Sequence, residues 1–251
     1  MPSSENPNSV TGLLSCDILR EFRFSAVSSD LSARFLTLTN YQIKLLAAGL
    51  MVIDHIGYVF LRDTAWGILC YGLGRLSFPL FAWLLVQGES HTQNFRQYAL
   101  RLLGMAVLSQ PIYQLTFGIE PFEDFNILFT LLLGLLCLRA ARRWPGWAVL
   151  IWLVGAVSAE LAHFNYDAYG IALIALIGNY KPTPLWWIVW CIFTALTALV
   201  MPDNFQFLAG LAALIFAIAN HERGPRARWF YWFYPAHIAL IGLAALWLNR
   251  P

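Results

Sequence analysis

The sequence predicts an all-α protein: a polytopic transmembrane helical bundle of about nine spans, with its N-terminus in the cytoplasm. Three observations carry that expectation. Apolar residues make up 59% of the 251 positions and charged residues only 12%, about half the charged share of a soluble domain. So few charges could not clothe a soluble protein of this size. Beyond residue 41, apolar runs follow one another with short connections, most of them near the 20 or so residues a helix needs to cross a bilayer. The basic residues fall in alternate connections, so one face of the membrane collects nearly all of them.

Taken in order, residues 1–40 form a polar cytoplasmic tail rich in Ser and Asn, and residues 41–251 form the transmembrane domain. Within the tail, Leu14, Ile18 and Phe22 recur at every fourth position. Two readings stand, a short amphipathic helix on the membrane surface and a disordered tail. Leu13-Leu14-Ser15-Cys16 faintly resembles a lipoprotein cleavage site, but the preceding residues lack an apolar stretch and positive charge, so no signal peptide is expected. Thr39 and Asn40 are good N-cap residues for the first span. The spans are expected at 42–61, 66–87, 98–117, 125–141, 146–163, 168–180, 184–201, 204–220 and 230–248. The sixth is short for a crossing and would have to thin the bilayer or re-enter. Pro79 and Pro111 fall inside spans two and three, where a missing N–H and a ring clash imply kinks. Cys70, Cys137 and Cys191 sit within apolar runs at no metal-ligand spacing, so neither a disulfide nor a metal site is expected.

With the N-terminus inside, the inner face receives Arg20, Arg23, Arg34, Lys44, Arg96, Arg101, Arg139, Arg142, Arg143, Lys181, Arg223, Arg226 and Arg228. The outer face receives only Arg62 and Arg250, beside the acidic stretch 118–124. A formal net charge of +2, with no basic cluster on one face, gives no indication of nucleic acid as a partner.

Against this apolar background three ionisable residues stand out: Asp54 and His55 in the run 43–61, and Arg75 in the run 66–87. Such groups cost a few kcal/mol or more inside a membrane and mark function by default. At about 1.5 Å per residue, His55 is expected some 18–20 Å from the inner edge and Arg75 about 16 Å from the outer one, both near mid-membrane. Neighbours in sequence diverge by about 100° on a helix, so Asp54 is expected to pair with a group on another helix while His55 faces a cavity. The alternative is a satisfied polar knot that only holds the bundle together.

Other groups read less sharply. Glu89, Ser90, His91 and Thr92 fit a solvated helix end or a ligand role, and Arg139, Arg142 and Arg143 are simplest as topology determinants. Glu160, His163, Asn165, Asp167 and Tyr169 gather at one outer loop, and His237 reads as a packed or cavity-lining residue near the inner end of span nine.

Six blocks in this order resemble the TraX family over about residues 42–250: Met51-Val52-Ile53-Asp54-His55-Ile56-Gly57; Gly74-Arg75-Leu76-Ser77-Phe78-Pro79-Leu80-Phe81; Gly88-Glu89-Ser90-His91-Thr92; Tyr98-Ala99-Leu100-Arg101-Leu102; Asn126-Ile127-Leu128-Phe129-Thr130-Leu131-Leu132-Leu133-Gly134; and Phe233-Tyr234-Pro235-Ala236-His237. Each is weak alone and they are specific together. The resemblance implies a multi-pass protein of the bacterial inner membrane with acetyltransferase activity. The family's namesake N-acetylates the pilin of a conjugative pilus. In outline the family is similar to membrane acyltransferases that include O-antigen acetylases and the lysosomal heparan acetyltransferase, whose donor is cytosolic acetyl-CoA. The implied partners are the lipid bilayer, acetyl-CoA and an acceptor that is a protein N-terminus or a glycan.

Moving an acetyl group from a thioester to an amine or hydroxyl needs a base for the acceptor proton, positive charge or donors for the oxyanion, and cations for the donor phosphates. The expected catalytic residues are His55 as base, Asp54 and Arg75. The expected cofactor-binding set is Arg75, Arg96, Arg101, His91, Asn126 and His237, with a tunnel from the inner face carrying the thioester up to His55. The rival reading is a proton-coupled transporter with Asp54, His55 and Glu160 as the relay; a third is a passive scaffold.

Overall fold

The computed structural model describes residues 37–121, 123–201, 205–225, 227 and 229–248. The readings of Leu14, Ile18 and Phe22, of Cys16, and of Arg20, Arg23, Arg34, Arg226, Arg228 and Arg250 lie outside the described residues. From Thr39 onward the described residues form one unit, built of helices.

Helix α1 (Asn40–Phe60) starts at Thr39, whose side chain accepts from the Gln42 N–H while the Gln42 side chain accepts from the Thr39 N–H, a reciprocal capping box. Thr64 caps α2 (Ala65–Gly74) from one side only, its hydroxyl oxygen accepting from the Gly67 N–H. The expected second span is interrupted here: Arg75 and Leu76 form a turn, and the chain resumes as α3 (Ser77–His91). The cause lies four residues on. Pro79 has no N–H for the Arg75 carbonyl, so the break falls at the site residue itself. By contrast α4 (Phe95–Phe117) continues through Pro111 and stops at Gly118, which adopts the left-handed conformation (φ 66°) open to glycine.

Asn126 caps α5 (Ile127–Arg143), and a 3₁₀ turn at Pro145–Trp147 leads into α6 (Ala148–Leu161). Helix α7 (Asp167–Gly178) is about 18 Å long at 12 residues. It is an interior element: Ile171, Leu173, Ile174 and Ile177 are buried, and it packs on α3, α5 and α6. A helix wrapped by others needs no lipid-facing length. Where α5 meets α7, Gly134 leaves room for Ile174, a close approach that a Cβ would block.

Helix α8 (Pro184–Val200) opens on Thr183 as cap and Pro184 in its first turn. The run expected as a helix over 204–220 is not one. It divides into a 3₁₀ segment (Gln206–Leu211) and α9 (Ala212–Ala217), and the indole N–H of Trp190 donates to the Gly210 carbonyl at 2.9 Å. Last comes α10 (Phe230–Leu248), packed on α4 and α1.

Among the described residues, three segments are long and apolar enough to cross a membrane: 40–60, 65–91 taken through its break, and 230–248. Outward-facing Leu69, Val149, Leu153, Leu240, Leu243 and Trp247 are more than half exposed, as suits side chains that meet lipid rather than water. Connections alternate between two ends of the bundle. One, the basic end, carries Arg96, Arg139, Arg142, Arg143, Lys181 and Arg223; the other, the acidic end, carries Asp63, Glu120, Glu123, Asp124, Glu160 and Asp167 beside Arg62.

Candidate active site

A cavity of about 390 Å³ lies among α1, the α2–α3 break, the ends of α4 and α10, and the two loops 118–126 and 162–167 at the acidic end. Its walls include Asp54, His55, Arg75, Tyr71, Tyr113, Asp124, Asn165, Tyr166, Asp167, Tyr169, Gln206 and Tyr234. The two loops are tied by a short parallel bridge, in which the Phe125 N–H donates to the His163 carbonyl and the Asn165 N–H to the Phe125 carbonyl, both at 2.9 Å.

Arg75 owes its position to the helix break. Its Nη2 donates to Asp54 Oδ1 at 3.2 Å and its Nε to the Tyr71 carbonyl at 3.4 Å. The guanidinium lies over the Tyr71 ring, 3.8 Å from its centroid, with Tyr166 at 5.7 Å on another side. Gly74 allows this pairing, because a Cβ there would run into the Asp54 side chain. Tyr166 stacks on Phe78 at 4.4 Å. It sits in a loop where three non-glycine residues, His163, Tyr166 and Asp167, all have positive φ. Strain of this kind collects at functional sites.

One residue on, His55 points elsewhere. Its Nδ1 is 3.0 Å from His237 Nε2, and Phe117 meets its ring edge-on at 5.1 Å. Asp54 and His55 thus serve different partners, Arg75 in the α2–α3 break and His237 on α10. Counted along α1, His55 is about 22 Å from the Asn40 end and about 8 Å from the Phe60 end, so the site lies toward the acidic end rather than at the centre.

Across the cavity, Asp124 Oδ2 accepts from the Tyr113 hydroxyl at 2.7 Å and from Asn165 Nδ2 at 3.4 Å. Burial pushes the Asp124 carboxyl above the usual carboxylate range, and these two hydrogen bonds oppose the shift. Gln206 is buried, and its side-chain oxygen has no hydrogen-bond partner among the described residues.

The expected cofactor-binding set is divided. Arg75 is in the cavity. His91, Arg96 and Arg101 are exposed at the basic end, with His91 Nδ1 2.7 Å from the Gln87 carbonyl and Arg101 over the Tyr231 ring. Asn126 is buried and fully engaged as a cap: its Nδ2 donates to the Ala106 carbonyl and Gln110 Oε1, and its Oδ1 accepts from the Leu128 N–H. His237 touches His55 and is not among the residues lining the cavity. None of the described basic-end residues lines this cavity. The transporter relay is likewise not assembled, since Glu160 is exposed, accepts from the Ala168 N–H at 3.3 Å and is absent from the cavity wall. Nor is Glu89 a solvated helix end. Its carboxylate is buried and paired with Arg139 at 3.1 Å and with Arg142, because the last turns of α5 reach over it.

Sequence reasoning missed Tyr71, Tyr113, Tyr166, Asp124 and Gln206 as members of one site. Asn165, Asp167 and Tyr169 were legible as an outer-loop group, but the side-chain partners of Asp124 lie 11 and 41 residues away.

A protein described as probable fimbrial assembly protein FimC, serogroup H1, of Dichelobacter nodosus is 28% identical over 244 residues, covering 86% of this chain and all of that protein. Protein TraX of Escherichia coli strain K12 is 29% identical over 219 residues, covering 81% of this chain and 86% of its own. A second Escherichia coli protein TraX is 28% identical over 221 residues with the same coverage. No solved structure matches. The family model described as TraX protein matches residues 39–245, which takes in every helix from α1 to nearly the end of α10 and the whole cavity wall, and the chain belongs to the TraX family.

Proposed function

We propose that the protein is an integral membrane acetyltransferase that moves an acetyl group from acetyl-CoA to an amine or hydroxyl acceptor, with His55 as general base. The observation that carries this reading is the meeting of His55 and Arg75 on the wall of one partly open cavity, lined by polar and apolar side chains alike, inside a largely apolar bundle. An imidazole suits removal of the acceptor proton near neutral pH. The Arg75 guanidinium, held between Asp54 and Tyr71, suits the developing oxyanion or the donor carbonyl. Asp54 holds that guanidinium in place.

In this reading residues 41–251 are the acyltransferase domain, crossing the bacterial inner membrane nine times from a cytoplasmic N-terminus. The basic end faces the cytosol, as the positive-inside rule favours, and Arg96 and Arg101 there make first contact with the phosphates of the donor. The acceptor enters from the acidic end, where the cavity wall reaches the loops. A relative named as a fimbrial assembly protein and two named TraX fit a protein acceptor.

The test is transfer of radiolabelled acetyl from acetyl-CoA to an acceptor by purified protein in proteoliposomes. His55→Ala is expected to reduce kcat by about 10²–10⁴-fold, the usual contribution of a general base. Unimpaired turnover by that variant removes His55 from the chemistry.

A further inference from the structure

His237 Nδ1 lies 2.7 Å from the Phe233 carbonyl oxygen. That oxygen can only accept, so Nδ1 carries the proton. In the neutral ring Nε2 then holds the lone pair, and what faces it at 3.0 Å is His55 Nδ1, which must donate. The two rings lie within 4° of parallel with centroids 5.1 Å apart, while the bonded nitrogens are much closer. They therefore meet edge to edge in one plane, as an N–H···N bond requires, and are not stacked face to face. His55 is left with its lone pair on Nε2, which has no hydrogen-bond partner among the described residues and belongs to a residue on the cavity wall.

We propose that His237 is a positioning residue: it fixes the Nδ1–H tautomer of His55 and leaves Nε2 as the base. This rests on His55 being the base of the acetyl transfer. His237 is suited to the task because it is held rather than free. It is buried, its ring stacks on Phe233 at 4.5 Å, and Tyr234 packs against it edge-on. Which nitrogen of an imidazole carries the proton is set by the hydrogen bond of the other. A chain that ends on a backbone carbonyl leaves no choice.

In the reaction the acceptor nitrogen or oxygen bonds to the acetyl carbonyl carbon as its proton passes to His55 Nε2. The tetrahedral species then collapses, the carbon–sulfur bond breaks, and the proton on Nε2 passes to the CoA thiolate. The products are the acetylated acceptor and CoA thiol, with His55 neutral again. While His55 is an imidazolium, its bond to His237 Nε2 is charge-assisted and strengthened, so His237 acts most in the step that makes the cation.

The experiment measures steady-state acetyl transfer in proteoliposomes for His55→Ala, His237→Phe and His237→Gln, with acetyl-CoA KM and CoA-induced thermal stabilisation recorded for each. Phe removes the acceptor, whereas Gln restores an oxygen near the place of Nε2. The expected result is a fall in kcat of about 100-fold for His237→Phe with KM for acetyl-CoA unchanged, and recovery of at least tenfold of that loss in His237→Gln. If His237→Phe does not accumulate, His237→Met, which also lacks the nitrogen acceptor, takes its place. Native kcat in the Phe or Met variant while His55→Ala is inactive overturns the positioning role and leaves His55 as base. A Gln variant no better than Phe overturns it as well. Native activity in His55→Ala overturns both readings together.

Discussion

Asp54 and Arg75 are each poorly exposed, with side chains 18% and 11% accessible, and each is the other's charge partner. Removing one member leaves the other charge stranded. Asp54→Asn is expected to lower unfolding stability in detergent by about 3 kcal/mol, the low end for a broken buried pair because a polar cavity adjoins it. Arg75→Gln added to it is expected to recover part of the loss, and strictly additive losses in chemical denaturation would show that the two are not coupled. Asp124 supplies a pH dependence at the same scale. Burial raises its carboxyl above the ordinary value near 3.8, so the stabilisation it contributes is complete below that value and is lost as pH rises through the higher folded-state value. Asp124→Asn cannot ionise. The difference in Tm, variant minus native, is expected to be more positive at about pH 7 than at about pH 4, and a difference independent of pH would contradict the assignment.

Two adjacent helices meet at the site with little tolerance. Gly74 closes α2 directly against Asp54, and Gly57 of α1 lies against Cys70 of α2, so the helices touch at two points where a Cβ would collide. Gly74→Ala is expected to cost about 1–3 kcal/mol, as overpacking does, and to lower transfer activity more than Gly49→Ala, because a Cβ at position 49 meets nothing within 4 Å. Equal effects of the two substitutions on Tm and on turnover would show that the α1–α2 contact does not set the site. The α2–α3 break belongs to this scale too, since the proline that interrupts the helix also determines where the Arg75 guanidinium begins.

For the whole molecule, charge separates along the bundle. The basic end gathers arginines and lysine, with Glu89 buried between Arg139 and Arg142 as a tie from α3 to α5, while six acidic residues mark the other end. In the proposed orientation Lys181→Cys is expected to react with a membrane-impermeant maleimide only when the cytosolic face is opened, and Glu120→Cys from the outer face of intact spheroplasts. Labelling of Lys181→Cys in intact spheroplasts would invert the topology.

Legible in the residues alone were the all-helical class, most of the helical runs, though not the split of the second at Arg75 and Leu76, and the weight given to Asp54, His55 and Arg75. The signals were composition, run length and the rarity of ions in hydrocarbon, which need no knowledge of neighbours. Packing made Arg75 the partner of Asp54, set His237 against His55 across 182 positions and spent Asn126 on a cap. It also showed α7 as an interior helix, the run 204–220 as two short pieces, and the cavity at the acidic end. The difference is one of range. Helix formation and membrane affinity are summed over contiguous residues, whereas a cavity wall and a tautomer are set by which side chains meet after helices far apart in the chain have packed.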